Sequence, residues 1–136
     1  MTPPVQFWEQ DVLPELLRMA ELPIEEVVVW FLSESGGLAG SCKAEGGSCH
    51  VDISFSCLYE GAYHANAFGL LIAHNHPRGS CYPSPQDDDT TELLRAFCSE
   101  FELTFVDHLV VSGSYDAEEG SPRSYFSYTD QRAHFF

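Results

Sequence analysis

The sequence predicts an α/β or α+β sandwich, helices packed around one sheet. Three observations carry this. Segments rich in β-branched and apolar residues, "EEVVVWFLS", "FGLLIAH" and "LTFVDHLVVSG", have the length and composition of strands. Between them lie segments with apolar residues at helical spacing. The sharpest helix start, "SPQDDD", places a serine, then a proline at the first helical position, then acids in the first turn.

In order along the chain, Phe7, Trp8, Val12, Leu13, Leu16, Leu17 and Met19 recur with helical spacing, and Pro14 is expected to mark the first turn of that helix. Glu25 to Ser33 reads as a strand, and "ESGG" after it as a turn into a hairpin. "LAGSCKAEGGSCHVDI" reads as the partner strand followed by a glycine-rich loop around Gly46 and Gly47. From Ser54 to Ala67 a helix can set Phe55, Leu58, Tyr59, Ala62 and Tyr63 on one side, with Gly61 weakening it. "FGLLIAH" is a short buried strand. The helix opening at Ser84 then carries Leu93, Leu94, Phe97 and Phe101 at helical spacing. "LTFVDHLVVSG" adds a strand, the polar stretch from Asp116 to Ser124 a surface loop, and "YFSYTD" a last short strand.

With 136 residues, 44% of them hydrophobic, the chain has the size and core-forming content of one domain that folds alone. The 21 acidic residues against 6 basic ones give a formal net charge of −15, which makes nucleic acid and anionic membranes unfavourable partners. The first twenty residues lack the basic and apolar regions of a signal peptide, and no stretch is long enough to span a membrane. The five cysteines are odd in number and follow no CxxC spacing, as expected for free thiols in the cytoplasm.

The stretch "AHNHPRGSCYPSPQDDD" concentrates the chemistry. On a strand, His74 and His76 share one face while Asn75 turns away. Asp87 follows His76 by eleven residues, across a loop rich in Gly and Pro that can fold back on the histidines. Two imidazoles and a carboxylate form a set of three ligands suited to Zn2+ with an open fourth position, where a bound water's pKa falls to about 7. The same serine and aspartate also make a helix cap, which needs no metal. The two roles are compatible, because a first-turn carboxylate can turn one oxygen outward.

The spacing of "HNHPRGSCYPSPQD" resembles the signature of the RadC-like branch of the JAMM (JAB, MPN+) metalloprotease superfamily: HxHP, a short loop, then PSxxD. The similarity extends through "NAFGLLIAHNHP", "VDHLVVSG", "YFS" and "EEVVVWFL", from Glu25 to Ser127. It implies a JAMM/cytidine-deaminase-like sandwich, a central mixed β-sheet flanked by helices, as a single domain over 1–136: N-terminal helix at about 5–21, metal-site core 25–112, C-terminal loop and strand 113–136. It further implies zinc held by His74, His76 and Asp87. A glutamate at the start of an early strand activates water; that residue is Glu25, or Glu26 if the register slips by one. Ser84 resembles the serine that donates a hydrogen bond to the oxyanion. Asp107 and His108 fall on the family's "DH" segment, where Asp107 either orients a ligand histidine or satisfies a buried structural hydrogen bond. Asp88 and Asp89 match no ligand position and read as surface acids favoured by the helix dipole.

The chain departs from the family pattern at Arg78 and Ser80, which replace the usual serine and aspartate, and at Cys81, where proline is commoner. These changes bear on the substrate surface, and they raise the question of whether the Cys81 thiolate takes the open metal position. Full-length RadC proteins also carry a helix-hairpin-helix region for which this chain has no room. The implied activity is that of a zinc metallopeptidase or isopeptidase acting on a protein or peptide amide. The rival readings are a non-catalytic zinc-binding interaction module and a DNA-repair-associated protein. Nucleoside deamination would need HxE with PCxxC, and neither lies near the metal ligands.

Overall fold

In a computed structural model, which describes residues 3–45, 55–113 and 123–136, the chain forms one mixed six-stranded sheet with helices on both faces. The expected glycine-rich loop around Gly46 and Gly47 and the Asp116 to Pro122 part of the surface loop lie outside the described residues. The strands are β1 (Glu26–Leu32), β2 (Leu38–Glu45), β3 (Gly69–His76), β4 (Thr104–Ser112), β5 (Ser124–Ser127) and β6 (Arg132–Phe135), in the spatial order β2-β1-β3-β4-β5-β6. Only β3 and β4 run parallel; the other neighbours are antiparallel. This α+β arrangement is consistent with the JAB/MPN domain that the resemblance implies.

The N-terminal helix α1 has three consecutive stretches: α-helical Val5–Phe7, π-helical Trp8–Val12 and α-helical Leu13–Ala20. The wider π turn lies directly ahead of Pro14. Proline has no N–H, and its ring would clash with the carbonyl four residues back in a regular α-helix, so a wider turn there relieves both problems. Pro14 therefore sits in the first turn of the stretch Leu13–Ala20, as expected, but the helix already runs ahead of it through the π turn. Phe7, Val12, Leu16, Met19 and Ala20 pack on the even-numbered β1 residues Val28, Trp30 and Leu32, and on Leu71, Ala73, Leu109 and Val111.

The opposite face carries helix α2 (Phe55–Ala65) and helix α3 (Pro85–Glu100), the latter forming the crossover between parallel β3 and β4. Val27, Val29, Phe31, Leu70 and Ile72 meet Leu58, Leu94, Phe97 and Cys98 there. β1 is thus buried on both faces along its whole length, which explains its unbroken apolar run. Gly61 has a packing role: a Cβ at that position would come within 2.5 Å of the Phe31 ring.

Two details differ from expectation. Tyr59 and Tyr63 point to solvent, 48% and 71% exposed, as do Leu93 and Phe101, while Leu58 and Ala62 of α2 face the sheet. The aromatic residues pack instead on one another, Tyr59 lying 5.1 Å from Phe101 between ring centroids. Finally, "YFSYTD" supplies only β5; the chain turns back through Gln131, which takes a left-handed φ of 55°, and adds β6 as an edge strand.

Candidate metal centre

The site lies where β3 ends and α3 begins. Alternation sends His74 and His76 to the α2/α3 face, and the start of α3 brings Asp87 back against them. One ligand atom from each of the three residues falls within 4.8 Å of the others. The two Nε2 atoms stand 3.3 Å apart; Asp87 Oδ1 is 3.0 Å from His74 Nε2 and Oδ2 is 3.0 Å from His76 Nε2.

Capping and convergence coexist, as the sequence allows. The Ser84 hydroxyl accepts from Asp87 N–H at 3.1 Å, and Ser84 N–H donates to Asp87 Oδ2 at 2.9 Å. This reciprocal box fixes the carboxylate while leaving both its oxygens turned toward the histidines. Burial alone would raise the Asp87 pKa, but hydrogen bonds to His74 and His76 outweigh it and hold the carboxyl well below the usual carboxylate range. Burial would lower that of His76; Asp87, the Ser80 carbonyl and the charge of Glu25 overcome it and raise the value.

Proton placement decides what the cluster can hold. His76 Nδ1 lies 2.8 Å from the Ser80 carbonyl oxygen, which can only accept, so Nδ1 carries a hydrogen. A neutral His76 therefore turns a lone pair from Nε2 toward Asp87. Without a metal, imidazole hydrogens bridge these nitrogens to the carboxylate; with those hydrogens displaced, two imidazole nitrogens and a carboxylate suit a divalent, borderline-soft ion. The donor set fits zinc.

The residue between the ligands anchors the site from behind. Asn75 is fully buried on the α1 face, where its Oδ1 accepts from Glu26 N–H at 2.7 Å and its Nδ2 donates to the carbonyls of Met19 and Ile24 at 3.0 Å each. It ties the end of α1 and the start of β1 to the metal-bearing strand.

β1 pairs with β3 so that Val27 opposes His74. Continued by one step along each face, that register sets Glu25 opposite His76, on the histidine side of the sheet. Glu26 takes the other face: it is 6% exposed and forms an ion pair with Arg18 of α1, which also holds Glu15 at 2.7 Å. Its pairing leaves Glu25 as the glutamate beside the cluster.

A β-bulge sorts the "DH" pair. Leu70 pairs with Phe105 but Leu71 pairs with Asp107, so Val106 is an extra residue in β4. The bulge puts His108 on the ligand face, its Nε2 2.8 Å from His74 Nδ1. Asp107 goes to the other face, where it accepts from the Ser127 hydroxyl at 2.5 Å and from Thr129 N–H at 3.0 Å, and burial raises its pKa. Asp107 thus takes the structural bond, and the histidine reaches the ligand.

The Cys81 thiol is buried in the loop and accepts from the Ser124 hydroxyl at 3.4 Å on β5. It is not in the ligand cluster. Asp88 is exposed as expected, yet it accepts from the Tyr128 hydroxyl at 2.8 Å. Gly113, just past β4, allows an approach unavailable to any other residue: a Cβ there would lie 1.9 Å from the Pro77 carbonyl oxygen.

The RadC-like JAB domain family matches residues 9–132. The chain belongs to this family. Among its relatives, a UPF0758 protein of Ruegeria pomeroyi is 33% identical over 99 residues, 72% of this chain and 44% of that protein. A UPF0758 protein of Haemophilus ducreyi is 37% identical over 73 residues, 54% of the chain and 29% of the relative. One of Streptococcus thermophilus is 34% identical over 74 residues, 54% and 28% of the two lengths. The chain spans less than half the length of these relatives. JAB domains include hydrolases, and the His74, His76 and Asp87 cluster of this RadC-like domain could bind a metal. No helix among the described residues is long and apolar enough to cross a membrane.

Proposed function

We propose that this RadC-like domain is a zinc-dependent metallopeptidase or isopeptidase that hydrolyses an amide bond in a protein or peptide. The observation that carries the reading is the convergence of two imidazole Nε2 atoms and a carboxylate, with Glu25, the residue just ahead of β1, on the same side. Zinc held by His74, His76 and Asp87 would supply Lewis acidity, polarising the scissile carbonyl and acidifying a water.

The chain's own groups supply the rest. Glu25 takes the proton of the attacking water and returns it to the departing amine, so one carboxylate serves as base and then as acid. The Ser84 oxygen already accepts from Asp87 N–H, which leaves its hydroxyl hydrogen available for the tetrahedral oxyanion. Glu26 takes no part, because Arg18 holds it on the opposite face. The net charge of −15 favours a protein or peptide over a nucleic acid as the partner. Free thiols at Cys42, Cys81 and Cys98 support a cytoplasmic location.

The test is hydrolysis of a panel of peptide and isopeptide substrates by zinc-loaded protein. Glu25→Gln should abolish turnover while zinc content is retained, and Glu26→Gln should keep turnover with a small loss of stability. Turnover surviving Glu25→Gln would overturn the base assignment. Zinc binding with no cleavage across the panel would favour a non-catalytic interaction module.

A further inference from the structure

His108 is 1% exposed, and both of its ring nitrogens have partners. Its Nε2 lies 2.8 Å from His74 Nδ1 and its Nδ1 lies 2.6 Å from the Thr91 hydroxyl. That hydroxyl is in turn 2.8 Å from the Asp87 backbone carbonyl. Tyr128 stacks on the ring at 4.9 Å between centroids, with planes 7° apart, and its hydroxyl donates to Asp88 in the first turn of α3. Three elements, β3, β4 and α3, meet through this one side chain.

The direction of the chain of hydrogen bonds follows from its far end. The Asp87 carbonyl can only accept, so Thr91 donates its single hydrogen there. Thr91 must then accept from His108 Nδ1–H. A neutral imidazole protonated at Nδ1 offers a lone pair at Nε2, which accepts from His74 Nδ1–H. With Nδ1–H committed to His108, the Nε2 of His74 is the nitrogen that faces the cluster, and a metal that displaces the hydrogen it shares with Asp87 meets its lone pair. The reversed order would set the Thr91 oxygen and the Asp87 carbonyl oxygen, both without a hydrogen between them, 2.8 Å apart.

We propose that His108 and Thr91 form a positioning relay that fixes His74 in its metal-binding tautomer, using the backbone carbonyl of the third ligand residue as the reference. The inference rests on the metal site proposed above. It adds a coupling: Asp87 contributes its carboxylate to the cluster and, through its main chain, sets the proton of the ligand facing it. Helix α3 therefore positions both one ligand and the tautomer of another. Outer partners of this kind typically change metal affinity by about 10–100-fold when removed.

Two measurements test it. Long-range 1H–15N correlation spectra of the histidine side chains in metal-free protein report the His108 tautomer directly. The relay requires hydrogen on Nδ1 and none on Nε2; His108 protonated at Nε2 would overturn it. Zinc competition against a chromogenic chelator reads the coupling. Thr91→Val and His108→Phe, the latter keeping a ring under Tyr128, should bind zinc at least tenfold more weakly, and Thr91→Ser should stay within about threefold of the wild type. Affinity unchanged in Thr91→Val overturns the relay while the metal site stands. Wild-type protein that binds no zinc but shows His108 protonated at Nδ1 overturns the metal site while the proton order stands.

Discussion

Replacing Asn75 by alanine is the perturbation whose cost can be worked most closely from the structure. The side chain makes three hydrogen bonds and is fully buried. Removing it takes from the Glu26 N–H the acceptor that stands 2.7 Å away, Asn75 Oδ1. It also takes a donor from the Ile24 carbonyl, although Ile24 lies near the surface. The Met19 carbonyl keeps the Leu22 N–H at 3.2 Å. One buried donor and one partly exposed acceptor each losing a partner, at about 1–3 kcal/mol each, give a loss of about 3 kcal/mol. That is a large part of the 5–15 kcal/mol typical of a domain. Asn75→Asp should cost at least as much, because its second oxygen would face two carbonyl oxygens. Urea unfolding of metal-free protein at neutral pH gives the measurement, read as a shift in midpoint at constant slope. A loss below about 1 kcal/mol for Asn75→Ala would refute the claim that this residue clamps α1 and β1 to the metal strand.

Gly113→Ala forces a Cβ into the Pro77 carbonyl, so it should cost about 3 kcal/mol and weaken zinc binding by displacing the segment that follows His76, both measurable in one thermal-shift titration with zinc. The metal-free protein should show a characteristic pH window. The raised His76 pKa contributes stability that is full below its unfolded value of 6.5 and lost as pH rises through the folded value. The lowered Asp87 pKa contributes stability present above 3.8 and lost only as pH falls through its depressed folded value. Together they favour the metal-free fold between about pH 4 and 6.5. Zinc affinity should run the other way, weakening as pH falls, because protons and metal compete for the same lone pairs. Midpoints of metal-free protein that rise steadily from pH 5 to 8, or zinc affinity flat over that range, would contradict the pair.

Much of the site was legible because it is local. A histidine pair two residues apart on a strand has one geometry, and Ser84 with Pro85 and Asp87 has one capping solution, so the ligand face and the helix start follow from short-range rules. What escaped depends on tertiary register. The bulge at Val106 decides which of Asp107 and His108 reaches the ligands, and no local pattern in "TFVDHLVV" marks it. Thr91 lies inside a helix, where a threonine carries no signal until its neighbour across the layer is known. Asn75 was expected only to turn away; that it satisfies three backbone groups depends on where α1 ends. Tyr59 and Tyr63 fit the helical period yet face solvent, because Gly61 and Ala62 bring the helix too close to Phe31 for large side chains at that contact. The turn before β6 lacks the glycine or proline that announces a hairpin, and Gln131 takes the left-handed position instead.

The most direct test of the whole account is zinc stoichiometry and affinity of the purified chain, reconstituted and then dialysed at pH 7.5, beside His74→Ala, His76→Ala and Asp87→Ala. The account predicts one tightly held ion per chain in the wild type and loss of that ion in each variant, with all four proteins still folded by circular dichroism. A folded wild-type protein that retains no zinc, or variants that hold it as firmly as the wild type, would contradict it.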